Sequence, residues 1–168
     1  MALVATVGAK TANSYASVAE AGAYFADHPL TATWTAKTTA QKEQLLIQAT
    51  RDIDTETLSG FKYNDTIDTD GLPIQALHFP RADDVSSTGV LYIPIAVKKA
   101  CYEQTIELAR TGTTATRLTL QAQGVVEAQV GDVLEKYRDG GISTSALRSA
   151  PRNMLMRAGF IEFSGAWA

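Results

Sequence analysis

The sequence predicts a mainly α-helical protein, a small bundle of about four helices with a long ordered loop and an inserted β-hairpin near the C-terminal third. Three observations predict this fold. The chain has 168 residues, of which 45% are hydrophobic and 20% charged, as expected of one globular domain spanning residues 1–168. Apolar residues recur at helical spacing in four segments. A period of two occurs between residues 118 and 137, which is typical of strands.

The first two helices are marked by capping boxes, in which a hydroxyl accepts from a backbone N–H and a side chain three residues later reaches back. Ser17 and Glu20 form such a pair before a helix predicted over residues 18–26. Thr38 and Gln41 form a weaker pair before a second helix, predicted over residues 42–56. The buried face of this second helix is a stripe at helical spacing, formed by Leu46, Ala49 or Thr50, Ile53 and Thr57.

Residues 59–92, here called the connection, show neither a helical nor a strand period. Turn-forming residues punctuate this segment, namely Gly60, Asn64, Asp65, Asp70, Gly71, Pro73, Pro80 and Gly89. Loops of this length are usually functional or packed by their own side chains. We expect packing, with Leu77, Phe79, Leu91 and Tyr92 as anchors.

The remaining elements follow the connection. Pro94 suits the first turn of a third helix, predicted over residues 95–110. Alternating apolar residues on either side of Gly131-Asp132 predict a β-hairpin over residues 125–137 with its turn at these two residues, because glycine adopts the positive φ that such turns need. The last helix is predicted over residues 145–157, with Pro151 as a start or kink and Gly159 as its end.

Charge and cysteine content limit the classes of function. The net charge of -3 disfavours non-specific nucleic-acid binding by bulk charge. A single cysteine, Cys101, excludes an internal disulfide framework and a thiolate-rich zinc site, and its apolar neighbours favour a core residue over a nucleophile. No secretory signal begins the chain and charged residues interrupt every apolar cluster, so a cytosolic protein that does not span a membrane is expected.

Candidate catalytic and metal-binding groups lack the required patterns. His28 and His78 are not spaced as metal ligands, and for His78 beside Asp83 and Asp84 a loop histidine near a solvated acidic pair is favoured over a base with orienting carboxylates. The run Asp65, Asp68, Asp70 and Gly71 lacks the terminal glutamate of a calcium loop, and the glycines form no phosphate-binding motif. We therefore expect no catalytic residue, no metal, no cofactor and no enzymatic activity.

The last helix carries a basic cluster, Arg148, Arg152 and Arg157. A phosphate track would use such residues, but three arginines without interleaved aromatic side chains favour a solvated helix face.

Large apolar side chains crowd the end of the chain, where residues are normally polar and frayed. Residues 160–168 include Phe160, Ile161, Phe163 and Trp167. The two interpretations carry equal weight: the tail folds back on this chain's own core, or it docks on another chain. Docking would make an interface with a partner or a neighbouring subunit from these four residues and Met156.

The order of these segments resembles the head–tail connector proteins of tailed bacteriophages, also called adaptor or neck proteins, over nearly the whole chain. The resemblance rests on the joint order and spacing of short segments: 14–25, Trp34, 42–54, 75–81, 93–100 and 130–137. Relatives commonly have Trp where this sequence has Phe79, and residues 65–72 and 111–123 are longer here.

The resemblance implies a structural virion protein that forms a homo-oligomeric ring of twelve copies between the portal protein and a tail-side neck or tail-completion protein. The ring would extend the channel through which DNA passes without specific binding, in the neck of the virion, after assembly in the host cytoplasm. Some members of the family are labelled DnaT-like single-stranded-DNA-binding proteins. A single-stranded-DNA-binding protein of phage replication is therefore the alternative, which the acidic net charge and the absence of an aromatic and basic groove disfavour.

Overall fold

The computed structural model describes residues 2–110, 127–130, 133–136 and 147–161. Their order along the chain is α1 (Val18–Phe25), α2 (Thr31–Thr35), α3 (Thr39–Asp54), α4 (Ile95–Ala109), β1 (Glu127–Val130), β2 (Val133–Lys136) and α5 (Ser149–Arg157). The prediction of a mainly helical fold is confirmed.

Both predicted capping boxes are present. The Ser17 backbone N–H donates to Glu20 Oε2 (2.8 Å) and the Glu20 N–H donates to Ser17 Oγ (3.2 Å). Thr38 and Gln41 make the same reciprocal pair at 2.9 and 3.3 Å. Because Thr38 caps the helix, α3 begins at residue 39 rather than at residue 42 as predicted.

Helix α2 was not predicted. Its five residues are too few to show a helical period in the sequence. Trp34 fixes it in place, because this side chain is buried and its ring centroid lies 4.9 Å from that of Phe25.

Helix α5 begins at Ser149, four residues after the predicted start, and ends at Arg157 as predicted. Pro151 is its third residue, where the missing N–H has no intrahelical acceptor to lose. After the helix, Gly159 adopts a φ of 78°, its N–H donates to Met156 O (3.0 Å), and the Phe160 N–H donates to Leu155 O (2.9 Å). This pair of bonds is a Schellman motif, which turns the chain sharply after the last helical residue.

The core of the helical unit lies where α4 packs between α3 and α5. Its fully buried side chains come from all the longer helices: Phe25, Leu46, Ile53, Val97, Cys101, Ile106 and Leu155. Cys101 is a core residue, as predicted, and burial raises the pKa of its thiol to about 12.

The two strands belong to a second unit, residues 110–145. β1 and β2 pair antiparallel, with Glu127 opposite Lys136 and Val130 opposite Val133. The predicted turn, Gly131 and Asp132, and the rest of the range 125–137 lie outside the described residues. The hairpin with this turn therefore stays a prediction.

The connection is ordered by its own hydrogen bonds and by contacts with the core. Phe79 is fully buried, and Leu77 and Leu91 are partly buried. The expectation for Tyr92 was wrong, because 45% of its surface is exposed. Its neighbour Ile93 is the residue that enters the core.

Candidate nucleic-acid interface

A short antiparallel bridge inside the connection brings residues 61–63 beside residues 80–82. Lys62 pairs with Arg81, the Tyr63 N–H donates to Pro80 O (3.0 Å), and the Ala82 N–H donates to Phe61 O (3.1 Å). Successive side chains of an extended chain point to opposite faces. Phe61 and Tyr63 therefore lie on one face, where 82% and 51% of their surfaces are exposed, and the Lys62 side chain lies on the opposite face.

The connection also carries most of the exposed apolar surface of the described residues. Of nine exposed large hydrophobic side chains, seven lie in it: Phe61, Tyr63, Ile67, Leu72, Ile74, Val90 and Tyr92. A surface of this kind usually marks an interaction site.

The charge of the connection is negative. It contains two cationic residues, Lys62 and Arg81, against five aspartates, and this difference equals the whole net charge of -3. Lys10 is ion-paired with Asp68 and lies 3.6 Å from an oxygen of Asp70. The electrostatic field around the exposed rings is therefore weak or negative rather than that of a phosphate-binding surface.

Beneath the bridge, the Asp54 carboxylate joins three segments of chain. It accepts hydrogen bonds from the Tyr15 hydroxyl and from the His78 backbone N–H (3.3 Å), and the Phe79 N–H donates to the same hydroxyl (3.3 Å). Burial raises the pKa of Asp54 and of Tyr15 and lowers that of His78. This arrangement fixes the position of the connection on α3.

Arg81 is the most buried cation of the connection, with 7% of its surface exposed. Its Nη1 donates to Gly60 O at 2.7 Å, and its Cζ lies 4.8 Å from the centroid of the Phe79 ring. Its backbone N–H donates to Asp84 Oδ2 at 2.7 Å. Burial lowers the pKa of this guanidinium and raises that of the Asp84 carboxyl.

The acidic residues singled out in the sequence differ in their surroundings. Asp83 is exposed, but Asp84 is buried, so the description of these two as a solvated pair was wrong. Asp68 shapes a turn, because its Oδ1 accepts from the backbone N–H groups of Asp70 (2.9 Å) and Leu72 (3.1 Å). Within the described residues no group of three or more possible ligands could hold a metal ion.

The three arginines of the basic cluster differ in their surroundings, and Arg148 lies just before α5 as its N-cap. Arg152 Nε lies 3.3 Å from Glu56 Oε2, the Arg148 backbone N–H donates to Gln104 Oε1 (3.0 Å), and Arg157 is exposed. Of the three guanidinium groups, that of Arg152 is therefore held by an acidic side chain of this chain.

Part of the predicted docking tail lies on this chain's own core. The Phe160 ring packs edge-on against Phe79 with centroids 4.9 Å apart, and Ile161, only 5% exposed, pairs with Leu58. Met156 is half-buried against the same core. These three residues take the folded-back placement, whereas Phe163 and Trp167 lie outside the described residues, so docking through them stays a prediction.

Sequence reasoning missed the aromatic pair. Phe61-Lys62-Tyr63 places a cation between two rings within three residues, and this pattern was the sequence signal for the pair.

Among the described residues, none of the helices has the length and hydrophobicity that a transmembrane span requires.

Comparison with known proteins assigns a family. A family model described as "Putative DnaT-like ssDNA binding protein" matches residues 1–165. No curated protein and no solved structure matches the chain. The family match gives no support to the head–tail connector resemblance. With nearly all of its length matched, the chain belongs to the DnaT-like ssDNA binding protein family.

Proposed function

We propose that this protein binds single-stranded DNA and that bases stack on the rings of Phe61 and Tyr63. The observation that carries the proposal is the exposure of these two rings on a backbone held by hydrogen bonds at both residues. The description of the matched family supports it.

The spacing of the rings suits successive bases of one strand. In an extended chain, residues two apart are separated by about 6–7 Å and point to the same face. A base stacked on an aromatic side chain contributes roughly 1–3 kcal/mol without regard to sequence. Two such contacts form a stacking surface of the kind that single-strand-binding proteins use.

Charge contributes little to this binding. Because the connection carries two cations against five aspartates, few phosphates would be neutralised. The affinity should therefore decrease only slightly as salt increases, unlike that of a protein that holds the strand by its backbone.

Fluorescence anisotropy with a labelled oligothymidine tests the proposal. We expect saturable binding by the native protein, and a loss of roughly tenfold in affinity for Phe61→Ala or Tyr63→Ala, corresponding to one stacked base. Ile67→Ala is the matched control, because Ile67 is an apolar residue of the same segment without a ring, and its exposure of 69% lies between those of Phe61 and Tyr63. Equal affinity for all three variants, or no saturable binding, would contradict the proposal.

The exposed apolar surface favours a second candidate, a subunit of a head–tail connector ring. Seven large hydrophobic side chains exposed in one segment are better explained by contact with protein than by a free monomer surface. In this proposal twelve copies form a ring in the neck of the virion and bind the portal and a tail-side protein. Light scattering separates the two candidates: one defined large oligomer without DNA binding favours the ring, and a small species that binds oligothymidine favours the first proposal.

A further inference from the structure

The guanidinium of Arg81 has an edge without an acceptor. Nε and Nη2 are both buried, and neither donates a hydrogen bond to an acceptor among the described residues. These two N–H groups lie on one edge of the planar group, which is the fork that binds carboxylate or phosphate with two parallel hydrogen bonds. An unpaired buried donor is costly, and more so when it is charged.

A second cation lies opposite Arg81 in the bridge. Lys62 is opposite Arg81 in the antiparallel bridge, so the two Cβ atoms are about 4.5–5.5 Å apart on one face. Like charges placed opposite one another destabilise such a pair. The Lys62 ammonium makes two long hydrogen bonds, both of 3.5 Å, to the carbonyl oxygens of Gln75 and Ala76.

The neighbouring carboxylates favour the charged form of Arg81 but accept no hydrogen bond from its fork. Asp54 accepts from the Tyr15 hydroxyl and the His78 backbone N–H, and Asp84 Oδ2 accepts from the backbone N–H of Arg81 itself. The Phe79 ring covers one face of the guanidinium and holds its plane, while Gly60 O binds Nη1. The orientation of the fork is thus fixed before any ligand arrives.

We infer that the fork of Arg81, with Lys62 opposite it in the bridge, binds an oxyanion, that is, a phosphate or carboxylate group. Two parallel bonds to Nε and Nη2 would hold the group, and Lys62 would supply the second positive charge. Because both nitrogens lie out of contact with solvent, the anion enters only when the side chains around the fork move. The site lies on the opposite face of the bridge from the exposed rings and does not depend on the stacking proposal.

Nuclear magnetic resonance of the native, nitrogen-15-labelled protein tests the inference directly. Inorganic phosphate, added at constant ionic strength, should shift the Arg81 Nε–H signal saturably. The Nε–H signal of Arg51, an exposed arginine, is the internal control and should not follow the same curve. Equal responses of the two signals, or the same shift with chloride, would overturn the inference.

Two variants extend the test. Arg81→Lys keeps the charge but loses the fork, and should weaken phosphate binding about tenfold, whereas Arg51→Lys should leave it unchanged. If Arg81→Lys does not fold, Lys62→Gln should weaken phosphate binding while preserving the Arg81 fork. Unchanged affinity in each folded variant would contradict the assignment.

Further titrations identify the source of the anion. A shift of the Arg81 signal with acetate as well as phosphate indicates a general oxyanion site, and one with phosphate alone indicates phosphate selectivity. A shift with oligothymidine as well as with free phosphate identifies a strand phosphate as one source of the anion. If oligothymidine binds but neither oligothymidine nor phosphate shifts the Arg81 signal, the stacking proposal stands and the oxyanion site is overturned. If phosphate shifts the Arg81 signal but oligothymidine does not bind, the oxyanion site stands and the stacking proposal is overturned.

Discussion

The hydroxyl of Tyr15 donates a hydrogen bond to the carboxylate of Asp54, 39 residues further along the chain. The same hydroxyl accepts from the Phe79 backbone N–H, so one oxygen atom links the N-terminal segment, the end of α3 and the connection. The ring of Tyr15 adds an edge-on contact with Phe79, at 5.7 Å between centroids.

Removing this hydroxyl should destabilise the fold. Tyr15→Phe keeps the ring contact but leaves a buried carboxylate oxygen and a buried N–H without their partner, which costs about 1–3 kcal/mol. Urea unfolding measures the loss. Tyr63→Phe, which removes a hydroxyl from an exposed ring, should change the free energy of unfolding by less than about 0.5 kcal/mol. Equal effects in the two variants would show that the Tyr15 bond contributes little.

The same site predicts a pH dependence. Because burial raises the folded-state pKa of Asp54 above the ordinary value of 3.8, the folded state holds this proton more tightly than the unfolded state. The contribution to stability is therefore full below pH 3.8 and is lost as the pH rises through the raised pKa. Asp54→Asn should lack this contribution, so the stability of the native protein relative to the variant should decrease with rising pH in that window. An increase there in urea-unfolding measurements would contradict the sign.

The buried face of α3 gives a core test. Ile53 is fully buried, so Ile53→Ala should cost roughly 2–5 kcal/mol of unfolding free energy. Gln44→Ala, on the exposed side of the same helix, is the control and should be nearly neutral. A loss below about 0.5 kcal/mol for Ile53→Ala would show that the apolar stripe had been misassigned.

The turn after α5 tests backbone conformation alone. A Cβ at Gly159 would meet no heavy atom within 4 Å, so a substitution there is opposed only by its positive φ of 78°. We expect Gly159→Ala to cost about 1–2 kcal/mol in urea unfolding. Gly159→Asn should cost less, because asparagine tolerates this region better. Equal costs would point to a cause other than backbone conformation.

Variants in residues 160–168 test separately whether this tail stabilises the fold and whether it docks on another chain. Ile161 is buried next to Leu58, so Ile161→Ala should lower the melting temperature, at a cost of roughly 2 kcal/mol or more. If Phe163 and Trp167 dock on another chain, Trp167→Ala should leave the melting temperature unchanged. The same variant should reduce attachment to the portal or to the neighbouring subunit in co-sedimentation experiments. A lower melting temperature for Trp167→Ala with attachment retained would contradict docking.

Elements with a strong local signal were predictable from the sequence. The capping boxes at Ser17 and Thr38 and the helical stripe through Ile53 depend on residues within one or two turns of each other. Helix α2 could not be predicted, because its position depends on the contact between Trp34 and Phe25.

The candidate site depends on pairings that no local pattern shows. The exposure of Phe61 and Tyr63 follows from the register of residues 61–63 against residues 80–82, and the burial of Asp84 follows from its bond to Arg81. Turn residues in the connection predicted where the chain bends, but not which segments would lie side by side.

Because Lys62 pairs with Arg81, the side chains that the connection exposes at residues 61–63 depend on the pairing register and not only on amino-acid composition. Shifting residues 61–63 by one position against their partner would turn Phe61 and Tyr63 inward and bring Lys62 outward. Inserting or deleting one residue at Gly60 would thus convert an aromatic surface into a cationic one while leaving the amino-acid content almost unchanged. The length of the chain between the end of α3 and Phe61 is therefore as constrained as the identity of the rings themselves.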